Sequence, residues 1–508
     1  MEDPAPHFNL IDEPWIPVRY PDGRSGELGI RETLLTAACI AEIQDASPLV
    51  VAALHRFLLA VLYRALEGPT DGQQARAWFK GGLPTERITS YLARWAHRFD
   101  LFDETHPFGQ NPYVPAKQIE PWTKLTAEFN GTSNRTLFDH TNTRMLEARP
   151  AKECARWLIS TMNFSISGGR GYFPSPSANG IMCFVLGKNL AKTLLFNLVP
   201  YQNRFVQHAD SAIWERDPPV LPFSAPKRTV SGYADLYTWP ARMVLLVPDG
   251  DGRVRDTRFV SGFGSDLPDN FADPFQPYRI DEKFGRVPLR FDANKGTWRD
   301  FDSLLPDAEN RAPQTVSRSF ELVRGTSERP DAFLVLGLRY EPPNANVDFW
   351  RMDRFHLPEH LRLDQCIRSD IHAMLSAADE SQTSLWQGCM SFARDSLSRG
   401  AREPTKADLK NFVRQMPVTD NYWSALEPRF HQVLREYSDE RDPEEIRLMW
   451  LRFVRDALIT AWAAHAAGIA GGDAWTIRAL VKAEGPVRRR MSLLREEISK
   501  LEPQKEPA

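Results

Sequence analysis

Four stretches of this chain carry residue types that could hold or process a nucleic acid. Ser165-Ile166-Ser167-Gly168-Gly169-Arg170-Gly171-Tyr172 sets three glycines beside one arginine. A backbone without side chains approaches a ligand closely and presents its amides, and Arg170 adds a phosphate or groove contact. No GK[ST] or GxGxxG frame accompanies it, so this is not a nucleotide-binding loop. Residues 129–144 are dense in Asn, Thr and Ser around one Gly, which makes a loop. There Phe138 offers a stacking face, and Arg135, His140 and Arg144 offer phosphate partners. Asn344-Ala345-Asn346 follows Pro342-Pro343, putting small amides at the tip of a stiffened turn. Lys482, Arg488, Arg489, Arg490 and Arg495 form a basic run that is either a solvated face or a groove for a single strand. A different chemistry, metal-dependent hydrolysis, would rest on His106 and Glu104. Neither HExxH, GxSxG nor GxxxxGK[ST] supports it.

The elements that must position these stretches follow from periodicity. Residues 8–18 are an apolar run interrupted by Pro14, followed by a Pro21-Asp22-Gly23 reversal, which predicts a short first strand and a tight turn. Residues 45–66 carry Val50, Leu54, Phe57, Leu58, Val61 and Leu62 at helical spacing and predict a buried helix; residues 152–162 and 190–198 read likewise. Arg242 to Val247 and Val254 to Val260 flank Pro248-Asp249-Gly250-Asp251-Gly252, a hairpin signal. From about Leu363 the pattern changes to long helices over 364–399, 406–437, 443–469 and 473–501, with Asp442 as N-cap and Pro443 at the first position of the third.

At 508 residues the chain exceeds one comfortable core, so two or more domains are expected. A hydrophobic fraction of 42% and a charged fraction of 25% are those of a soluble globular protein. The net charge of -3 does not describe a solitary nucleic-acid binder, so local basic patches or partner subunits must supply the phosphate contacts. Five cysteines without a CxxC pair argue against a disulfide scaffold or a cysteine zinc site, and fit a cytoplasmic protein. Neither an apolar leader nor a membrane-spanning run is expected.

The order of several segments resembles the large subunit of type I-E CRISPR Cascade complexes, the CasA family. The resemblance is carried by Phe8-Asn9-Leu10-Ile11-Asp12-Glu13-Pro14-Trp15-Ile16-Pro17-Val18, His106-Pro107-Phe108 with Gln110, the polar loop, the glycine stretch, Asp273-Pro274-Phe275-Gln276-Pro277 and the helical end. It implies an α+β fold, with a large mixed N-terminal domain over 1–362 followed by an antiparallel four-helix bundle over 363–508. It implies no catalysis, cofactor or metal. The partners it implies are crRNA and other Cascade subunits, double-stranded target DNA and a helicase-nuclease. On this reading Gly168, Gly169, Arg170 and Gly171 meet the protospacer-adjacent motif (PAM), and Asn344, Ala345 and Asn346 form a strand-opening wedge. Arg135, Leu137, Phe138, Asp139 and His140 dock on the crRNA-bearing core, and Lys482, Arg488, Arg489 and Arg490 guide the displaced strand. Where some relatives present a lysine to the PAM, Gly262-Phe263-Gly264-Ser265-Asp266-Leu267 holds none, leaving Arg255 or Arg258 as substitutes.

Overall fold

A computed structural model describes residues 6–129, 146–168, 171–201, 209–221, 227–267, 272–306, 311–341, 346–357, 365–399, 403–437 and 441–502, without the side chains of 365–366. The chain packs as two compact units, Met1–Lys295 with Ser303–Phe355, and Gly296–Asp302 with His356–Ala508. The first mixes helices and strands and the second is helical.

The first unit is organised around the helix Pro48–Leu66. Ser47 caps it, its Oγ accepting the Val50 N–H at 3.1 Å, and Pro48 stands where no amide partner is needed. Nearly every residue of this helix is buried, so its apolar residues run all round rather than along one stripe. It is the one described helix long and apolar enough to cross a membrane, with a mean hydropathy of 1.8, but 94% of that window is buried inside the protein. Halfway along, Arg56 is 1% exposed and pairs with Asp273 at 3.0 Å. Asp273 also accepts from the Ser177 hydroxyl and from the Phe275 N–H at 3.0 Å. The Asp-Pro-Phe-Gln-Pro stretch is therefore a latch onto the central helix.

The opening strand forms only beyond Pro14, because residues 10–14 are turn and bend rather than strand. Ile16–Arg19 pairs antiparallel with Ser25–Leu28 across a turn in which Gly23 adopts φ +86°, and Glu42–Ile43 adds a third strand. The Asp249 turn also forms: Asp249 Oδ1 accepts the Asp251 and Arg253 N–H groups at 3.1 and 2.8 Å, joining Arg242–Pro248 to Val254–Ser261. Ile119–Pro121 extends that sheet and Met182–Leu186 pairs with Ala332–Tyr340. Both partners come from far along the chain, and local patterning does not reveal them.

Two helical expectations change in the second unit. The segment read as one helix over 406–437 is two, Lys406–Arg414 and Val418–Glu436, because Pro417 cannot donate within a continuous helix. The helical unit also recruits Gly296–Asp302, which a single linear boundary at 362 assigns to the other domain. Trp298 is the reason: its ring lies 5.1 Å from Phe430 and 6.2 Å from Trp450, while Arg299 sits 3.6 Å over Trp423. Asp442 caps Pro443–Ile469 as expected, accepting the Glu444 N–H at 2.9 Å.

Candidate nucleic-acid interface

The helix Ala151–Phe164 ends directly before the glycine stretch, and the chain returns ten residues later. Ser165 N–H donates to Ser175 Oγ at 3.2 Å, and Ser175 N–H donates to the Ser165 carbonyl at 2.8 Å. Arg242, at the start of its strand, then clasps both sides of the loop. Its guanidinium donates to the carbonyls of Phe173 at 2.6 Å, of Ile166, and of its neighbour Ala241 at 2.8 Å. Burial pulls the Arg242 guanidinium down to about 10, so it stays cationic at neutral pH. Beyond the clasp, the Gly171 carbonyl accepts from Ser261 Oγ. Gly171 is exposed at φ +86° with nothing within 4 Å of where a Cβ would stand, and Gly168 is half-buried. Gly169 and Arg170 lie outside the described residues. A narrow neck thus leads to Gly171, which borders open space. Arg242 is the residue sequence reasoning missed, since in the sequence it reads as the first residue of a strand.

The stretch from Ser175 to Ile181 ties this loop to other elements. Asn179 Nδ2 donates to the Tyr340 carbonyl at 2.9 Å, at the end of the strand leading into the Asn344 turn. Arg339, on that strand, reaches Glu341 at 2.8 Å and Asp348 at 3.4 Å. Asn346 is exposed, whereas Asn344 and Ala345 lie outside the described residues. Of the two substitute cations, Arg255 stands six residues before Ser261, which in a strand is about 20 Å from the loop contact. Arg258 is three residues away and half-buried. Lys227 is better placed. It pairs with Gly264 in parallel strands, is exposed, and lies 5.9 Å from the Phe173 ring at the loop's neck.

Arg135, Leu137, Phe138, Asp139 and His140 fall outside the described residues, but the base of their loop is firmly built. Trp122 stacks on Trp157 at 4.6 Å, and Phe129 packs edge-on against Trp122 at 5.3 Å. Next to it, Glu128 accepts from Ser47 Oγ at 2.6 Å. Burial, reinforced by the nearby Asp45 carboxylate, pushes the Glu128 carboxyl up to about 7. The folded protein therefore binds a proton that the unfolded chain releases above about 4.5, and this group's contribution to stability falls as pH rises from 4.5 to 7. Glu128→Gln should then leave stability unchanged near pH 4 and raise it by about 1–3 kcal/mol at pH 8. Urea denaturation at both pH values measures this. An equal gain at both would show that the carboxylate charge is not the cause.

The basic run divides. Arg488 and Arg489 are exposed, Arg488 pairing with Glu484 at 2.7 Å, and Lys482 pairs with Asp395 at 3.4 Å. Arg490 does not belong with them. It is 5% exposed and bonds the Ala377 carbonyl at 3.2 Å, Ser381 Oγ at 3.1 Å, Glu380 at 3.1 Å and Glu497 at 3.2 Å. Two residues, about 200° around the helix, place Arg488 and Arg490 on different faces, and the inward one is a structural ion pair. His106 departs from expectation as well. Its carboxylate neighbour is Asp217 at 3.5 Å, already held by Arg98 at 2.6 Å, while Glu104 is exposed. Asp103 merely caps the local turn, accepting the Thr105 and His106 N–H groups at 2.9 and 2.6 Å. Among the described residues no group of three or more His, Cys, Asp or Glu could hold a metal ion.

Comparison with known proteins reaches nearly the whole chain. The family model for CRISPR-associated protein Cse1 matches residues 9–461. The CRISPR-associated protein CasA/Cse1 of Thermus thermophilus is 34% identical, covering 97% of this chain and 98% of that protein. The structure of Thermus thermophilus CasA (Cse1) superposes with a TM-score of 0.81 at 30% identity, covering 96% and 99% of the two chains. A chain of a CRISPR RNA-guided surveillance complex shares the fold with a TM-score of 0.75 at 20% identity, over 96% and 99% of the chains.

Proposed function

This chain belongs to the CRISPR-associated Cse1 (CasA) family, and on that premise we propose that it is the large, non-catalytic subunit of a type I-E Cascade surveillance complex. The observation that carries the reading is the clasped glycine loop: a neck held by Arg242 and Ser175, and a tip with open space at Gly171. Such a tip suits the minor groove, which admits backbone and small residues and presents a degenerate pattern, so the reader tolerates several PAM sequences. Gly168, Gly169, Arg170 and Gly171 make the PAM contact, and Lys227 takes the place of the lysine missing from 262–267. The turn 344–346 then opens the first base step for pairing with the guide, which carries the sequence specificity.

Docking on the crRNA-bearing core falls to Arg135, Leu137, Phe138, Asp139 and His140. Lys482, Arg488 and Arg489 guide the displaced strand across the helical unit, whose long helices act together as a bundle. The opened complex recruits the helicase-nuclease. Partner subunits supply most phosphate contacts, consistent with a net charge of -3.

The test is assembly followed by DNA binding. The chain should co-purify with crRNA and the other Cascade subunits. Gly169→Asp then puts bulk and negative charge where backbone meets DNA. Target binding by the assembled complex should fall at least about tenfold, roughly 1.4 kcal/mol, with an unchanged melting temperature. Unaltered binding removes this loop from the DNA site.

A further inference from the structure

Beside the neck of the glycine loop, inside the first unit, lies a cavity of about 80 Å³. Arg98, Arg216, Arg228 and Arg242 line it from separate stretches of chain, and Trp214 and Phe263 supply apolar wall. Their carboxylate partners are fewer. Arg228 forks onto Asp235, at 2.7 Å to each oxygen, and Arg216 reaches the same carboxylate at 3.3 Å. Arg98 bonds Asp217 at 2.6 Å. Arg242 is spent on backbone carbonyls, and among the described residues no carboxylate pairs with it. Asp210, another acid of this region, is spent on the Ala234 and Asp235 N–H groups and the Tyr201 hydroxyl.

Four guanidiniums against two paired carboxylates leave this cavity positive, in a chain whose net charge is -3. Donors are left over as well. The Arg98 Nε–H is buried with no acceptor, although Nη2 of the same side chain holds Asp217. Burial draws the Arg216 guanidinium below its usual range, and the Arg228 charge beside it pulls the same way against Asp235. An anion between these side chains relieves that repulsion. Guanidiniums take oxyanions through paired N–H bonds, which gain strength against an apolar wall. Size limits the occupant: one water needs about 10–15 Å³, so the space suits several waters or one phosphate-sized group, not a nucleoside. A carboxylate of the chain already competes for it, since exposed Asp217 lies 2.6 Å from Arg98 and 3.5 Å from His106.

We propose that this cavity binds a small doubly charged oxyanion, a phosphate group or a short dicarboxylate, through Arg98, Arg216 and Arg228, with Asp217 limiting the affinity. The site stands apart from the DNA contact of the glycine loop, and no DNA enters its test. The purified full chain is titrated with inorganic phosphate, malonate or chloride at one ionic strength, by calorimetry and by thermal melting. Phosphate or malonate should bind saturably, one per chain, with a Kd of about 1 mM or below, and raise the melting temperature. The tighter of the two identifies the source of the oxyanion. Arg98→Gln should weaken that binding about tenfold. Arg216→Lys keeps the charge but loses the fork, and should weaken it by a smaller factor. Asp217→Asn should tighten it about threefold, a gain that misfolding cannot imitate. A response no greater than that to chloride overturns the site, as do affinities unchanged by both Arg98→Gln and Asp217→Asn. Either result leaves the reading of the glycine loop intact.

Discussion

Arg56→Met is expected to destabilise the N-terminal unit by about 3–5 kcal/mol, because it leaves the Asp273 carboxylate buried without its cation. Asp273 is 1% exposed, so bulk solvent does not replace the lost cation. The guanidinium also lies 4.4 Å over the Tyr237 ring and donates to Met182 Sδ at 3.4 Å, so methionine loses those contacts too. Removing both charges in a double variant, Arg56→Met with Asp273→Leu, should recover much of the loss, since an apolar pair of similar volume needs no desolvation. Urea denaturation of the four proteins gives the coupling energy directly. Additive losses would mean that the two side chains stabilise the fold independently. The pair also bears on function, because Asp273 holds Ser177 in the stretch that links the glycine loop to the Tyr340 end of its strand.

The second large effect is expected from Arg242→Met. Three carbonyls, those of Ile166, Phe173 and Ala241, lose a charged donor at once. Bonds to charged groups each contribute about 1.5–3 kcal/mol, and water can replace some of them at a half-buried neck, so a net loss of about 2–3 kcal/mol is expected. The functional consequence should exceed the structural one. With the neck unclasped the glycine tip is no longer presented in one conformation, and target binding by the assembled complex should fall at least about tenfold. Arg242→Lys should be intermediate, because a single ammonium cannot span the fork that reaches Ile166 and Phe173 together. Normal DNA affinity in a destabilised Arg242→Met protein would show that the clasp serves folding alone.

Local patterning determined much of this protein. Ser47, Pro48 and apolar residues at helical spacing define the central helix, Asp249 and Gly252 define a hairpin turn, and Asp442-Pro443 starts a long helix. These signals are legible because capping, turn geometry and periodicity act within a few residues. The glycine stretch and the Asp-Pro-Phe-Gln-Pro segment were visible as words, but their physical roles were not. Those roles depend on Arg242, 69 residues beyond Phe173, and on Arg56, inside an apolar helix. Only tertiary structure decided that Arg490 turns inward while Arg488 faces solvent, that Asp217 rather than Glu104 stands beside His106, and that Trp298 carries its segment into the helical unit. In each case a charge or aromatic ring is committed by a partner distant in sequence, and burial settles whether it serves the core or remains free to meet a ligand.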